Sequence, residues 1–216
     1  MNHAERMARF AGTDLYVVIT EAFCGGRTAV EVLDACLEAG VRLIQFREKD
    51  SGGLDLYDKV RAFRERTRLA GALLIVDDRL DMALAAEADG VHLGQEDLPL
   101  EVARRVAPDL VLGASSHNLD EALAAQAAGA SYINIGPIFP TQTKSVPTGD
   151  VGPEMIEYIA PHLTVPFTCM GGIKSHNIHE VVARGAQHVA VVTAVTTADD
   201  VAAAARELRA AMRGGV

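Results

Sequence analysis

The strongest constraint on this chain is a phrase that recurs along it. It appears as Glu38-Ala39-Gly40-Val41, Glu87-Ala88-Asp89-Gly90-Val91, Ala127-Ala128-Gly129-Ala130 and Ala183-Arg184-Gly185-Ala186. Each reads as a helix end turning into a strand, because a glycine after the last helical residue takes up backbone that side chains resist. Around these phrases, short β-branched runs alternate with longer Ala/Leu/Glu/Arg stretches. The strands are expected at Leu15–Thr20, Val41–Arg47, Leu73–Val76, Gly90–Leu93, Leu110–Gly113, Tyr132–Ile135, Val165–Thr168 and His188–Thr193. The helices are expected at Thr28–Glu38, Leu54–Leu69, Arg79–Ala86, Pro99–Ala107, Leu119–Ala127, Pro153–Ile159, Ser175–Ala183 and Ala198–Met212. Eight such alternations call for parallel strands joined by crossover helices. At this length the natural solution is an α/β fold, a single-domain (β/α)8 TIM barrel over residues 1–216. An open doubly wound sheet is the runner-up, but no Gly-x-Gly-x-x-Gly follows the first strand. The stretch before Leu15 fits either a short helix or a loose arm.

The charge balance narrows the ligands. The chain carries 20 Lys+Arg against 29 Asp+Glu, a net charge of −9, with no basic tract. That argues against nucleic acid and against an anionic membrane surface as partners. Any phosphate must be held by locally placed cations, helix N-termini or a metal. No apolar run approaches the ~20 residues of a membrane span. Met1 to Arg9 mixes charges and lacks an apolar core, so no secretory signal is expected. Cys24, Cys36 and Cys169 are widely spaced and odd in number. They suggest reduced thiols and a cytoplasmic location.

In a barrel of this type the chemistry gathers at the C-terminal ends of the strands. The unusual polar residues fall there. Strand two leads through Gln45 and Arg47 to Lys49, and the period-two rule puts Leu43, Gln45 and Arg47 on one face. Strand three leads to Asp77-Asp78-Arg79, and strand four to His92, Gln95, Glu96 and Asp97. Strand five is followed by Ser115-Ser116-His117. Strand six leaves through Gly136-Pro137-Ile138-Phe139-Pro140 into Thr141-Gln142-Thr143-Lys144. A glycine and two prolines stiffen that exit, and the hydroxyls and ammonium beyond it suit an anionic ligand. Strand seven leads to Gly171-Gly172-Ile173, and strand eight ends at Val192-Thr193.

Arg47, Lys49 and Lys144 could converge on an anion. Asp78 and Asp97 sit on neighbouring loops, where carboxylates facing phosphate call for a hard divalent cation, Mg²⁺. Taken singly, Asp78 reads equally as a helix N-cap and Asp97 as a turn residue before Pro99. Gly171-Gly172 could open the helix starting near Ser175 and offer backbone amides to phosphate, or form only a tight turn. Two anion sites are therefore expected, one metal-assisted and one built from backbone. His92 reads as a hydrogen-bonded core residue, and His117 fits either orientation of a hydroxyl or a structural bond. His176 and His179 lack a third metal ligand and read as a solvated face. No nucleophile–base–acid triad is apparent.

Residues 15 to about 195, in this order, resemble the thiamine-phosphate synthase (thiamine phosphate pyrophosphorylase) family. The match lies in Gln45-x-Arg47-x-Lys49, Asp78-Arg79, Gly90-Val91-His92-Leu93-Gly94-Gln95-x-Asp97, Gly113-x-Ser115-x-His117, Gly136-Pro137-x-Phe139-Pro140-Thr141-x-Thr143-Lys144, Gly171-Gly172-Ile173 and Val192-Thr193-Ala194. The resemblance implies a transferase of thiamine biosynthesis. It would join hydroxymethylpyrimidine diphosphate to a thiazole phosphate, carboxylated or not, and release diphosphate. It implies that Gln45, Arg47 and Lys49 hold the pyrimidine diphosphate with help from Ser115 and Lys144, and that Asp78 and Asp97 bind Mg²⁺. Thr141, Gln142 and Thr143 would contact the thiazole phosphate, with Gly172, Val192 and Thr193 completing its site. Arg47, Lys49 and Lys144 would be the catalytic cations. Small phosphorylated substrates are the implied partners, and a homo-oligomer is compatible with the chain.

The chain departs from the family at Asp77, where asparagine is usual and would bond the pyrimidine. An aspartate accepts hydrogen bonds but donates only when protonated. The resemblance assigns nothing to Asn134 or Ser116. A thiazole tautomerase-like isomerase and a non-catalytic phosphate-binding barrel are the competing readings. Neither needs Asp78, Asp97, Arg47 and Lys144 together.

Overall fold

In the computed structural model, which describes every residue except 142, 144–148 and 215–216, eight parallel strands close into a ring in sequence order. They are β1 Leu15–Ile19, β2 Leu43–Phe46, β3 Leu73–Asp77, β4 Gly90–Leu93, β5 Val111–Ser116, β6 Tyr132–Ile135, β7 Phe167–Cys169 and β8 His188–Val191. β1 pairs on one side with β2, Val18 opposite Gln45, and on the other with β8, Tyr16 opposite Ala190. The expected barrel is the fold observed. The helices are α1 His3–Ala11, α2 Ala29–Glu38, α3 Gly53–Leu69, α4 Leu80–Ala85, α5 Leu100–Val106, α6 Leu119–Ala127, α7 Glu154–Ile159, α8 Ile178–Val182, α9 Thr193–Thr196 and α10 Val201–Arg213.

Local chemistry accounts for several boundaries. α2 opens on a capping box in which the Thr28 hydroxyl accepts from the Glu31 amide and Glu31 reaches back to the Thr28 amide. It closes ahead of Gly40, whose φ of +81° permits the turn into β2. α1 carries a second capping box, Asn2 with Glu5. The stretch before Leu15 is therefore a helix rather than a loose arm.

Two apolar layers result. Between strands and helices lies the larger core, which includes Val17, Ile44, Leu74, Val91, Leu112 and Ile133. Inside the ring, Tyr16, Leu43, Leu73, Ile75, Val111, Tyr132 and Ala190 pack together with Phe10 of α1. The Phe10 ring stacks 5.0 Å from Tyr132 and lies 4.7 Å from His188. α1 thus plugs the N-terminal end of the barrel and leaves the opposite end open. Leu43 faces inward, as the period-two rule requires of a strand carrying Gln45 to the mouth.

Several boundaries differ from expectation by a few residues, and three of them have a visible cause. β5 runs on to Ser116, since Ser115 and Ser116 pair with Asn134 and Ile135 of β6. β8 stops at Val191, and Val192 (φ −117°, ψ −93°) turns the chain into α9. α8 begins only at Ile178, because the Asn177 side chain ties the preceding segment into a turn. It accepts from the Lys174 amide at 2.7 Å and donates to the Gly172 carbonyl at 3.1 Å.

Asp14 clamps the two ends of the chain together. It accepts from Arg209 at 2.9 and 3.1 Å and from Arg213 at 2.8 Å. Burial alone would raise the Asp14 pKa. The Arg209 bond, the Leu15 amide and Arg213 outweigh it and hold the carboxyl below its usual range. The stability this supplies is present above the unfolded-state pKa and is lost as pH falls through the lower folded value. Asp14→Asn should cost about 1 kcal/mol at neutral pH, discounted for partial exposure. Denaturant melts should show that difference shrinking below about pH 4.

Candidate active site

Two adjoining cavities, about 590 and 600 Å³, open at the C-terminal ends of the strands. Phe23, Thr143, Met170 and Val192 line both. The first cavity takes Gln45 from β2, Arg47 and Lys49 just beyond it, and Asp77 and Asp78 at the end of β3. Asp97 enters from the loop after β4 and Ser115 from β5. The second takes Thr141, Gly172, Val192 and Thr193. The structure therefore gathers Gln45, Arg47, Lys49, Asp77, Asp78, Asp97, Ser115, Thr141, Thr143, Gly172, Val192 and Thr193 along one rim. Gln142 and Lys144 lie outside the described residues.

In the first cavity Arg47 and Lys49 are already paired with carboxylates. Arg47 Nε lies 3.1 Å from Asp77 Oδ2, and Lys49 Nζ lies 3.6 Å from the same oxygen. Lys49 also contacts Asp78 Oδ2 directly. Burial works against the Lys49 ammonium, yet the Asp78 bond and the Asp77 charge raise its pKa. Asp78 is opposed by burial too, but Lys49 and a bond to Asp97 lower its pKa. Asp97 moves the other way: burial and the neighbouring Asp78 outweigh the Gly94 amide and raise it. Asp78 and Asp97 therefore form a crowded acid pair, a hard-oxygen donor set suited to Mg²⁺. Among the described residues no group of three or more His, Cys, Asp or Glu could hold a metal by itself. Two carboxylates leave coordination positions for ligand oxygens and water.

The structure settles several readings left open by sequence. The residue capping α4 is Arg79, with no side-chain cap bond, so Asp78 is not its N-cap. Asp78 instead sits at φ +58°, a backbone region that Asp tolerates better than most residues. Asp97 does hold a turn, accepting from the Gly94 amide at 2.7 Å, while it also lines the cavity. His117 bonds Glu121 at 2.8 Å. His92 is buried, bonding Tyr132 and Ser115. His176 and His179 are exposed, and His176 precedes α8. The backbone cradle is also revised, because Gly171-Gly172 does not open a helix. The glycines let two loops approach closely: the Ile138 and Phe139 amides donate to the Met170 and Gly171 carbonyls at 2.8 and 3.0 Å. The helical turn beside the second cavity is α9, whose first amides have no intrahelical partner.

Sequence reasoning missed Phe23, Met170 and Tyr16. Tyr16 comes from β1 and Phe23 from the turn after it, the one strand end at which no ligand group was expected. The strand-end rule that found the other seven would have reached Phe23. Tyr16, inside β1, and Met170, just past β7, carried no signal beyond an ordinary apolar residue.

A family model described as thiamine monophosphate synthase matches residues 15–195. The chain belongs to the thiamine monophosphate synthase family. It is 47% identical over 197 residues to the thiamine-phosphate synthase of Moorella thermoacetica, covering 91% of this chain and 94% of that one. It is 43% identical over 199 residues to that of Shouchella clausii, covering 92% and 95%. The thiamine phosphate pyrophosphorylase of Pyrococcus furiosus superposes with a TM-score of 0.89 at 38% identity, covering 97% of this chain and 99% of that one. In this family chain, as in its synthase relatives, the barrel is an enzyme scaffold for group transfer in thiamine biosynthesis.

Gly172 has φ +63°, and a Cβ there would stand 2.5 Å from the Pro140 carbonyl oxygen and 2.8 Å from Phe139 Cβ. Gly172→Ala should therefore push the two loops apart. It should lower stability by roughly 1–3 kcal/mol and raise KM for a phosphorylated ligand of the second cavity, read by thermal melts and steady-state kinetics.

Proposed function

We propose that the first cavity binds hydroxymethylpyrimidine diphosphate and the second a thiazole phosphate, with thiamine phosphate and diphosphate as products. The observation that carries this reading is the pair of joined cavities. One is lined by Arg47, Lys49, Asp78 and Asp97, the other by threonine hydroxyls and glycine backbone. Gln45, Ser115 and Asp77 would position the pyrimidine, and Thr141, Gln142, Thr143, Gly172, Val192 and Thr193 the thiazole phosphate. Asp78 and Asp97 would hold Mg²⁺. Bound there with the diphosphate, the ion would offset the charge that builds on the leaving oxygens. The residue set supports work on small metabolites, and no helix of the described residues is long and apolar enough to cross a membrane. We assign the reaction to the cytoplasm.

Diphosphate leaves readily only when its charge is neutralised. Arg47, Lys49 and Lys144 would supply fixed positive charge as the carbon–oxygen bond breaks. The electron-rich aminopyrimidine can bear the positive charge left on carbon, so no enzymic nucleophile is required. The thiazole nitrogen then needs only proximity and alignment, which two adjoining cavities favour.

Asp77 acquires a role in this scheme. Its carboxylate holds Arg47 and Lys49 before substrate arrives and competes with the diphosphate for them. Asp77→Asn should lower KM for the pyrimidine diphosphate a few-fold, the scale of a partly exposed ion pair. An unchanged or raised KM would contradict the competition. Lys144→Ala should cut kcat by about 100-fold or more, as for loss of one transition-state donor. Both are read by diphosphate release from the two substrates with Mg²⁺. Absence of any release at high enzyme concentration, with thiazole phosphate still bound, would refute the synthase reading.

A further inference from the structure

Beneath the first cavity a line of hydrogen bonds crosses the barrel. Gln45 Nε2 donates to the Tyr16 hydroxyl at 2.7 Å. The Tyr16 and Tyr132 hydroxyls are 3.0 Å apart. Tyr132 is 2.9 Å from His92 Nδ1, and His92 Nε2 is 3.0 Å from Ser115 Oγ. Gln45, Tyr16, Tyr132 and His92 are buried. The path joins β2, β1, β6, β4 and β5 in one chain of contacts.

The chemistry of each member gives this chain a direction. Tyr16 accepts from Gln45, and in its buried setting its own proton has one acceptor among the described residues, the Tyr132 oxygen. Tyr132, fully buried, must then pass its proton to His92 Nδ1. A ring that accepts at Nδ1 carries its proton on Nε2 and donates it to Ser115 Oγ. Ser115 has accepted, so its own proton points elsewhere. A doubly protonated His92 would turn Tyr132 back on Tyr16 and strand a buried phenolic proton. Burial raises the pKa of both tyrosines, which keeps each a full O–H donor.

A glycine makes the central link. Gly113 lies in β5, and a Cβ built there would collide with the Tyr132 hydroxyl and His92 Nδ1. The small residue leaves the space in which these two groups meet.

We propose that Tyr132, with Tyr16, is a positioning residue that sets the polarity of the site. The relay fixes His92 as the neutral Nε2–H tautomer, turns the Ser115 hydroxyl outward as a donor, and leaves Gln45 Oε1 as the acceptor at the far side of the same cavity. The cavity therefore reads a ligand that offers a donor group at the Gln45 end and an acceptor, such as a phosphate oxygen or ring nitrogen, at the Ser115 end. The assignment of the ligand rests on the proposed function; the polarity of the relay does not.

The test uses the full-length ¹⁵N-labelled protein without substrate, the His92 signals being identified by their loss in His92→Gln. The expected spectrum shows His92 with a protonated Nε2 and a bare Nδ1, and Tyr132→Phe or Tyr16→Phe converts it to a mixture of tautomers. A proton on Nδ1 in the native protein, or on both nitrogens, would overturn the proposal. So would an unchanged His92 pattern in a folded Tyr132→Phe. In kinetics with the two phosphorylated substrates, Tyr132→Phe and Ser115→Ala should each lower kcat/KM about tenfold, the scale of one misdirected hydrogen bond. The double variant should fall no further than the worse single. Fully additive losses would show that Tyr132 acts independently of Ser115. If the native protein itself turns over neither substrate, the function reading fails while the tautomer result still decides the relay.

Discussion

Closure between β8 and β1 is the constraint on which the rest of this molecule depends. With all eight strands parallel and each paired to its sequence neighbour, every strand delivers its C-terminal end to the same rim. Residues as distant in sequence as Gln45, Asp97, Thr143 and Thr193 then share two joined cavities. An open sheet would spread them along an edge. The interior has to be filled for the ring to hold, and here Tyr16, Tyr132 and Phe10 are the largest side chains in it, packed with Leu43, Leu73, Ile75 and Val111. Their packing also puts the tyrosine hydroxyls directly beneath the site. The stability of the barrel and the polarity of its floor draw on the same two side chains.

The electrostatics follow from an acidic chain that must hold anions. With a net charge of −9, long-range attraction for phosphate is absent, so binding depends on cations placed at contact distance. Those cations are not left bare. Asp77 and Asp78 pair with Arg47 and Lys49, which holds the long side chains over the cavity until a ligand competes for them. The Asp78–Asp97 pair is unfavourable as two adjacent carboxylates, a repulsion that a divalent ion bound between them would relieve. Each sign of charge creates the need for the other.

Much of the fold was legible because its signals are local. Glycine after a helix and the alternation of β-branched with alanine-rich segments depend on a few neighbouring residues, and they located all eight strands. Most of the polar residues that line the rim followed from one geometric rule about strand ends. What local reading could not reach was set by partners far away in sequence. Ser115 and Ser116 extend β5 only because β6 offers them pairing groups. α8 starts late because Asn177 reaches back to Gly172. The His92 environment depends on Tyr132, 40 residues on, and on a glycine that leaves room for both. A tyrosine in an apolar strand gives no hint of whether its hydroxyl is structural ballast or part of a site.

The central claim is that one rim binds metal and diphosphate together through Arg47, Lys49, Asp78 and Asp97. A crystal structure grown with diphosphate and Mn²⁺, phased on the manganese anomalous signal, tests it directly. The account predicts a single manganese peak bridged by the Asp78 and Asp97 carboxylates, with diphosphate oxygens on the metal and on Arg47 and Lys49. Manganese bound away from both aspartates, or diphosphate seated outside this cavity, would contradict it.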